Sequence, residues 1–406
     1  MMKKTIPHVL SACILTQLAQ AGEPTTPAPT TPSISEPLFK FKGDLRGRYE
    51  FYETDPLDAS HALTVRARLG LLFGDSSDGF SGYIEGEGTQ ALVDDFNTPG
   101  GSTPKTPGNS GIGDPDNSEL NQAYLQYTSD GLLARIGRQR IIRNSAAFIG
   151  NVGWRQNEQT FDAAQLAYKG DGFNVSYAYF DRVQRIFGKD AGGALTAFEG
   201  TGHIFDFDYK ASFGTVGGYA YLLDIDNNPN VGESNTVGLF TNTNGIYAEL
   251  AFQDGSSSLA GGDYDALYGH LKYTTKLSGS TVMAGVEYLG ENFKTPLATV
   301  HAYNGFADAF IGQRIGLNNK GGNYDGITDF YLGYVRGGLP GGLTFKGFLH
   351  YFMDGELSDS YGYEADAVLV KKFNDNLTGL FKASYFVGDD FYDDIKQVSF
   401  QLDYKF

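Results

Sequence analysis

The chain has one cysteine, one tryptophan and only 14 prolines in 406 residues. The cysteine, Cys13, lies in the N-terminal apolar segment, so removal of that segment leaves neither a thiol nor a disulfide framework. Long apolar runs are nearly missing too. Beyond the leader, no window approaches the ~18 residues of a membrane-crossing helix. Positive charge is scarce: 31 Lys and Arg stand against 48 Asp and Glu, a net charge of −17. Such acidity speaks against a nucleic-acid partner. Of six histidines, His8 falls in the leader, and His61, His203, His270, His301 and His350 are scattered. With no serine or second acid at triad spacing, the residues do not read as an enzyme, and nothing calls for a cofactor. "DIDNNPN" and "GDPDNSE" gather side-chain oxygens but lack the glycine and terminal glutamate of an EF-hand, so polar turns are expected there and no metal site.

What is present begins with a targeting signal. Lys3 and Lys4 precede the apolar run "VLSACILTQLA", and Ala19 and Ala21 supply an A-x-A cleavage site, so 1–21 reads as a secretory leader. Losing its two lysines takes the net charge from −17 to −19. Residues 22–37, "GEPTTPAPTTPSISEP", form a Pro/Thr linker with too little apolar surface to fold, expected in the periplasm. Residues 38–406 remain.

In "LFKFKGDLRGRYEFYE", Phe39, Phe41, Leu45, Tyr49 and Phe51 alternate with Lys40, Lys42, Asp44, Arg46, Arg48 and Glu50. This is a strand with one apolar and one charged face. The pattern returns in "HALTVRARLGLLF", where Leu63, Val65, Ala67, Leu69, Leu71 and Phe73 oppose Thr64, Arg66 and Arg68. About 18 such segments can be placed, beginning near 38, 61, 80, 120, 132, 160, 173, 203, 216, 235, 246, 264, 280, 327, 343, 361, 377 and 395. Those near 235 and 327 are weak. Connections after even-numbered segments are tight ("GDSSDG", "SDG", "GDG", "KLSG"), whereas most others are long, notably 90–118, 141–159, 186–202 and 291–326.

A soluble β-sandwich would leave its polar face in bulk water, but it seldom reaches this length as one domain and lacks two-ended loop asymmetry. A transmembrane antiparallel β-barrel of about 18 strands accounts for both features, with apolar rows against lipid and lipopolysaccharide and polar rows lining a lumen. The expected location is therefore the bacterial outer membrane, as a monomer. "VSFQLDYKF", ending on Phe406, resembles the terminal signature read by the barrel-insertion machinery.

Eleven of the 13 arginines precede residue 186. Pairing the first two strands so that Glu53 faces His61 would set Arg48 opposite Arg66 and Arg46 opposite Arg68. Like charges across a ladder are destabilising. "GYIEGEGT" offers relief, turning Glu85 and Glu87 to the lumen, with Glu87 beside Arg66 and Glu85 beside Arg68. These residues read either as a wall of alternating charge that braces the barrel or as a partly neutralised anion path. Asp206, Asp208, Glu249, Glu287, Glu364 and Asp366 form a more acidic opposite wall. Arg138 falls on the lipid side, where it belongs at the outer rim or on a bulge.

"GRQRIIRNSAAFIGNVGWRQNEQTFDA", 137–163, joins two strands and carries the sole tryptophan, Trp154. Its glycine-arginine-glutamine strand end, glycine-tryptophan loop and "TFDA" resemble the alginate-export porin family, as do "LATVHAYNGFADAFIG" (297–312) and the "RxRLGL" strand at 66–71. That resemblance implies an 18-stranded, electropositive conduit for a polyuronate, with Arg46, Arg48, Arg66, Arg68, Arg135 and Arg155 as its pore arginines. The expected function is a porin passing an anionic oligosaccharide or small polar solute by facilitated diffusion, with a general small-solute porin or a loop-plugged surface receptor or structural barrel as alternatives. The loop 141–159, rich in arginine, amides and small residues, is expected to fold inward, with Trp154 on the wall and Arg155 facing the passage.

Overall fold

A computed structural model describes residues 39–299, 301, 303–314, 325–389 and 392–406. The expected leader (1–21) and linker (22–37) lie outside them. Period-two patterning becomes eighteen strands. They are β1 Phe39–Thr54, β2 Ser60–Gly74, β3 Gly79–Asp95, β4 Asn117–Ser129, β5 Leu132–Gln139 and β6 Thr160–Lys169. Next come β7 Phe173–Gln184, β8 Ala197–Ala211, β9 Gly214–Ile225, β10 Gly232–Thr243, β11 Ile246–Ser257 and β12 Gly262–Leu277. The last six are β13 Ser280–Leu289, β14 Ile327–Leu339, β15 Leu343–Met353, β16 Ser360–Lys372, β17 Leu377–Gly388 and β18 Ile395–Lys405.

Each strand pairs antiparallel with its sequence neighbours, and β1 also pairs with β18, closing the sheet. Closure removes every free edge. Both weak segments, near 235 and 327, are full strands. The largest departure is β8, which starts at Ala197 rather than near 203. Its first residues, "AFEGTG", do not alternate; they pair with β7 and β9 all the same.

Even-numbered strands end in tight turns. Asp130–Gly131 and Asn244–Gly245 have positive φ at both positions (47° and 84° in each), the two-residue turn whose twist matches antiparallel strands. A side chain on Gly131 would also meet the Lys169 carbonyl at 2.4 Å, so the turn demands glycine twice over. The outward rows are bare: Phe80 is 79% exposed and Leu250 73%. In water this would be untenable; against acyl chains it is the expected apolar band.

One register differs from the sequence reading. Arg46 faces Arg66, Asp44 faces Arg68, and Arg68 then faces Glu87. Both hairpins are displaced by two residues, which leaves every side chain on its expected face and changes only its neighbour. Arg138 sits at the long-loop end of β5, as a rim position requires. It forms a bidentate pair with Asp162 at 2.7 and 2.9 Å across the ladder.

Candidate functional site

The lumen is occupied by two long loops, and the two charged walls hold them differently. A loop buried inside a barrel carries backbone groups that must find partners. Loop 141–159 presents carbonyls to the basic wall. Arg46 donates through Nη1 to the carbonyls of Gly153, Trp154 and Arg155 at 3.2, 3.1 and 3.2 Å. Arg48 donates to the Trp154 carbonyl, and Arg66 and Arg68 reach the Gln156 carbonyl at 3.4 and 3.1 Å. All four arginines are buried, at 1–4% exposure.

Their charge is met by carboxylates. Arg46 pairs with Asp403 at 2.7 Å, Arg48 with Asp114 at 3.2 Å, Arg66 with Asp44, and Arg68 with Glu87 and with Glu158 at 3.6 Å. Glu85 accepts from Tyr83, Asn121 and Gln122 at 2.5, 2.8 and 3.0 Å. Arg155 bonds Glu50 at 3.0 Å and lies 3.7 Å from Asp308. Arg135, nearer the tight turns, donates to Gln126 and lies 4.3 Å over Tyr124. The arrangement thus brings Arg46, Arg48, Arg66, Arg68, Arg155 and Glu87 together around one loop, with Glu85 alongside and Arg135 apart.

The loop's own acid anchors it from the other side. Glu158 is fully buried between Arg140, Arg68, Asn121 and Asn151. Burial alone would raise its pKa, but Arg140 and Arg68 outweigh that and hold it below the usual carboxylate range.

The acidic wall takes amide donors instead. Glu364 accepts from the backbone N–H groups of Phe306 and Ala307 at 2.5 and 2.8 Å, and Glu287 accepts from Asn304 at 2.9 Å. Gly305, at φ +83°, allows that approach; a Cβ there would sit 2.3 Å from the Glu364 carboxylate. Glu249 accepts from Tyr219 and Tyr247 at 2.7 and 2.6 Å. The basic and acidic walls read in the sequence hold the protein's own loops, carbonyls on the arginines and amides on the carboxylates.

The two loops meet at Trp154, whose ring stacks on His301 at 4.8 Å and 7°. Arg48 and Lys382 each lie 4.1 Å from the Trp154 ring. His301 Nδ1 is 2.7 Å from Asp308, and Lys382 Nζ donates to His301 Nε2 at 2.5 Å. Burial pushes the His301 pKa down to about 4, matching a neutral ring that donates to Asp308 and accepts from Lys382. Trp154 therefore packs as expected, while Arg155 is enclosed by Glu50 and Asp308 rather than open to a passage. Phe148 and Phe293 from the loops, with Tyr219, Tyr221 and Tyr268 from the strands, add an apolar cluster inside the barrel. Sequence reasoning missed Glu50, Asp114, Glu158, His301, Asp308 and Lys382 as one network. Only the lumen-facing parity of Glu50 and Lys382 was there to be read.

Some lumenal groups keep water contact: Asp44 and Asp403 in the basic cluster, with side chains 17% and 13% exposed, and three more toward β5–β8. Arg140, Arg143 and Asp206 have side chains 15%, 12% and 14% exposed, and Arg143 pairs with Asp206 at 2.9 Å.

Comparisons with known proteins agree with this architecture. OccAB4 of Acinetobacter baumannii superposes with a TM-score of 0.65 at 13% identity, covering 91% of this chain and 98% of that one. OccK9 (OpdG) of Pseudomonas aeruginosa gives 0.66 at 14%, covering 90% and 98%. OpdK of the same organism, solved with vanillate, gives 0.65 at 13%, covering 90% and 98%. At such identity the likeness shows the fold. No curated protein matches the chain. Residues 39–180 match the family model for alginate export, and this match supports an alginate-export-family, porin-like outer-membrane protein.

Proposed function

We propose that the protein is an outer-membrane porin that passes small polar solutes by facilitated diffusion. The observation that carries this reading is the closed 18-stranded barrel whose lumen is narrowed by two loops that enter from the long-loop end and are locked to opposite charged walls. Barrels of this strand number leave an aqueous channel, and inward loops convert such a channel into a selective constriction. The solute path follows Arg140, Arg143 and Asp206, the water-contacting groups on the β5–β8 side. OpdK, solved with vanillate, is a precedent on this fold for a small organic solute.

The family match favours a second reading, export of a polyuronate along an arginine ladder. Against it, Arg46, Arg48, Arg66 and Arg68 are covered by the loop and compensated by carboxylates. Planar-bilayer recordings decide among these readings. Stable conductance steps in KCl, unblocked by added oligouronate, are expected. A silent bilayer would defeat the porin reading and leave a loop-plugged receptor. Micromolar block by oligouronate would restore the polymer conduit.

A further inference from the structure

A groove of about 710 Å³ crosses the lipid-facing surface of β13–β18. Its floor follows one cross-strand row, in which Tyr334, Gly347, Ala367, Ala383 and Val398 each stand opposite the next. The glycine and two alanines leave this row low between bulkier neighbours. Leu332, Leu349 and Tyr385 rise on the side of the long loops, and Phe345, Leu369 and Phe381 on the side of the tight turns. Four strand spacings of about 4.8 Å make the floor about 19 Å long, the scale of an extended acyl chain.

The groove is inclined. Val282, at its β13 end, is the third residue after a tight turn, whereas Val398, at its β18 end, is the fourth after a long connection. Short turns face the periplasm in such barrels, so the groove starts near the periplasmic leaflet and climbs toward the outer one.

Cations mark its lower end. Arg336 and Lys371 face outward there, opposite Phe345 and Leu343. Arg336 reaches the turn before β13, where Nη1 donates to the Ser278 carbonyl at 2.7 Å and to Ser280 Oγ at 3.1 Å. Lys371 Nζ lies 5.1 Å from the ring centre of Phe373, in the turn after β16. Long cationic side chains bend in this way to bring their charge to headgroup level. Among the described residues, neither pairs with an Asp or Glu. The three turns beneath the groove, 278–279, 340–342 and 373–376, hold one acidic side chain, Asp375, and Lys372 takes it at 3.0 Å. Asp75, Asp78, Asp130 and Asp171 lie instead in the tight turns between β2 and β7. The positive end is a property of this face alone.

We propose that this face binds an anionic phospholipid of the periplasmic leaflet, with its phosphate on Arg336 and Lys371 and one acyl chain along the groove. Guanidinium and phosphate match in paired, charge-assisted hydrogen bonds. Lipopolysaccharide, on the outer side, would meet the opposite end of the groove, where Lys396 is already paired with Glu53 at 3.0 Å. The site requires a barrel that spans a bilayer and nothing of what passes through it.

Native mass spectrometry of the delipidated barrel, titrated with phosphatidylglycerol, should show one retained molecule and weaker retention of zwitterionic phosphatidylethanolamine. The double variant Arg336→Gln, Lys371→Gln should lower phosphatidylglycerol retention at least about tenfold. Ala367→Phe, which fills the floor, should lower retention of both lipids. Lys169→Gln, at the tight-turn end of β6 and away from the groove, should change neither. Heat-dependent gel mobility identifies the folded variants, and the charge variant suffices should the filled one not assemble. Equal retention of the two lipids by the natural protein, or undiminished phosphatidylglycerol retention by either folded variant, would overturn the proposal. Preferential retention of lipid A would overturn it as well, because the occupant would then come from the outer leaflet.

Discussion

Arg48 performs three tasks with one side chain. It joins β1 to β18 through Gln401 at 2.9 and 2.6 Å, neutralises Asp114, and holds the Trp154 carbonyl and ring. Replacing it with methionine would leave buried Asp114 only the more distant Arg155, at 3.9 Å, at a cost of up to about 3–5 kcal/mol. We expect Arg48→Met to lower the unfolding temperature in detergent, followed by the heat-dependent shift in gel mobility, with Asp114→Asn recovering part of the loss. Equal stability of the single and double mutants would show that the pair contributes nothing. His301 provides a pH dependence of definite sign. Its pKa is about 4 when folded, against 6.5 for the free side chain. Its contribution is complete above the unfolded value and is lost as pH falls from about 6.5 toward 4, because the unfolded ring takes up the proton first. A shift of that size corresponds to on the order of 3 kcal/mol. Asp308, which burial would raise but His301 and Arg155 hold below its usual range, adds loss of the same sign at lower pH. Protonation also sets His301 against the Lys382 ammonium. Single-channel current should therefore become noisier between pH 6.5 and 4.5, and His301→Gln should flatten that dependence.

At the scale of strands and loops, residues 144–154 connect the constriction. They supply Phe148 and Ile149 to the inner cluster and Trp154 to the junction with the second loop. Deleting them should raise single-channel conductance at least about twofold, since an 18-stranded barrel without the obstruction has an open aqueous bore. Unchanged conductance in a correctly inserted mutant would place the main restriction elsewhere. The strands themselves were legible, because period-two alternation and glycine-containing turns are local signals. Register was less so: a two-residue slip keeps Arg66 in the lumen and exchanges only its neighbour, so patterning cannot distinguish the alternatives. The fate of 297–312 was not legible at all. Part of the long connection 291–326, it places Phe310 at 1% exposure inside the barrel, beside Phe352 and Phe386. Glu50, Asp308 and Arg155 meet from places far apart in the chain, and no spacing rule spans such distances.

For the whole molecule, loop lengths define two ends. Tags inserted at 105 and 190, both exposed on long connections, should be reachable by antibody on intact cells, and tags at 76, 171 or 340 should not. Labelling at 76 or 171 would invert the barrel. A tag at 310 would instead disturb the packed interior, so it should impair assembly rather than display an epitope. The seam between the first and last strands has a consequence of another kind. Gly43 and Phe406 exchange backbone hydrogen bonds of 2.9 and 3.0 Å, and a short way along the same seam Arg46 binds Asp403 while gripping the carbonyls of the 141–159 loop. The residues that fasten the cylinder shut also fasten its obstruction. During biogenesis, a sheet still open along this line leaves Arg46 and Arg48 without Asp403 and Gln401 to fix them, so the aperture reaches its working width only when the chain's last strand meets its first. The strand that completes the wall acts as a keystone for the gate, and mistakes in joining the ends would register as leakiness before they registered as loss of the barrel.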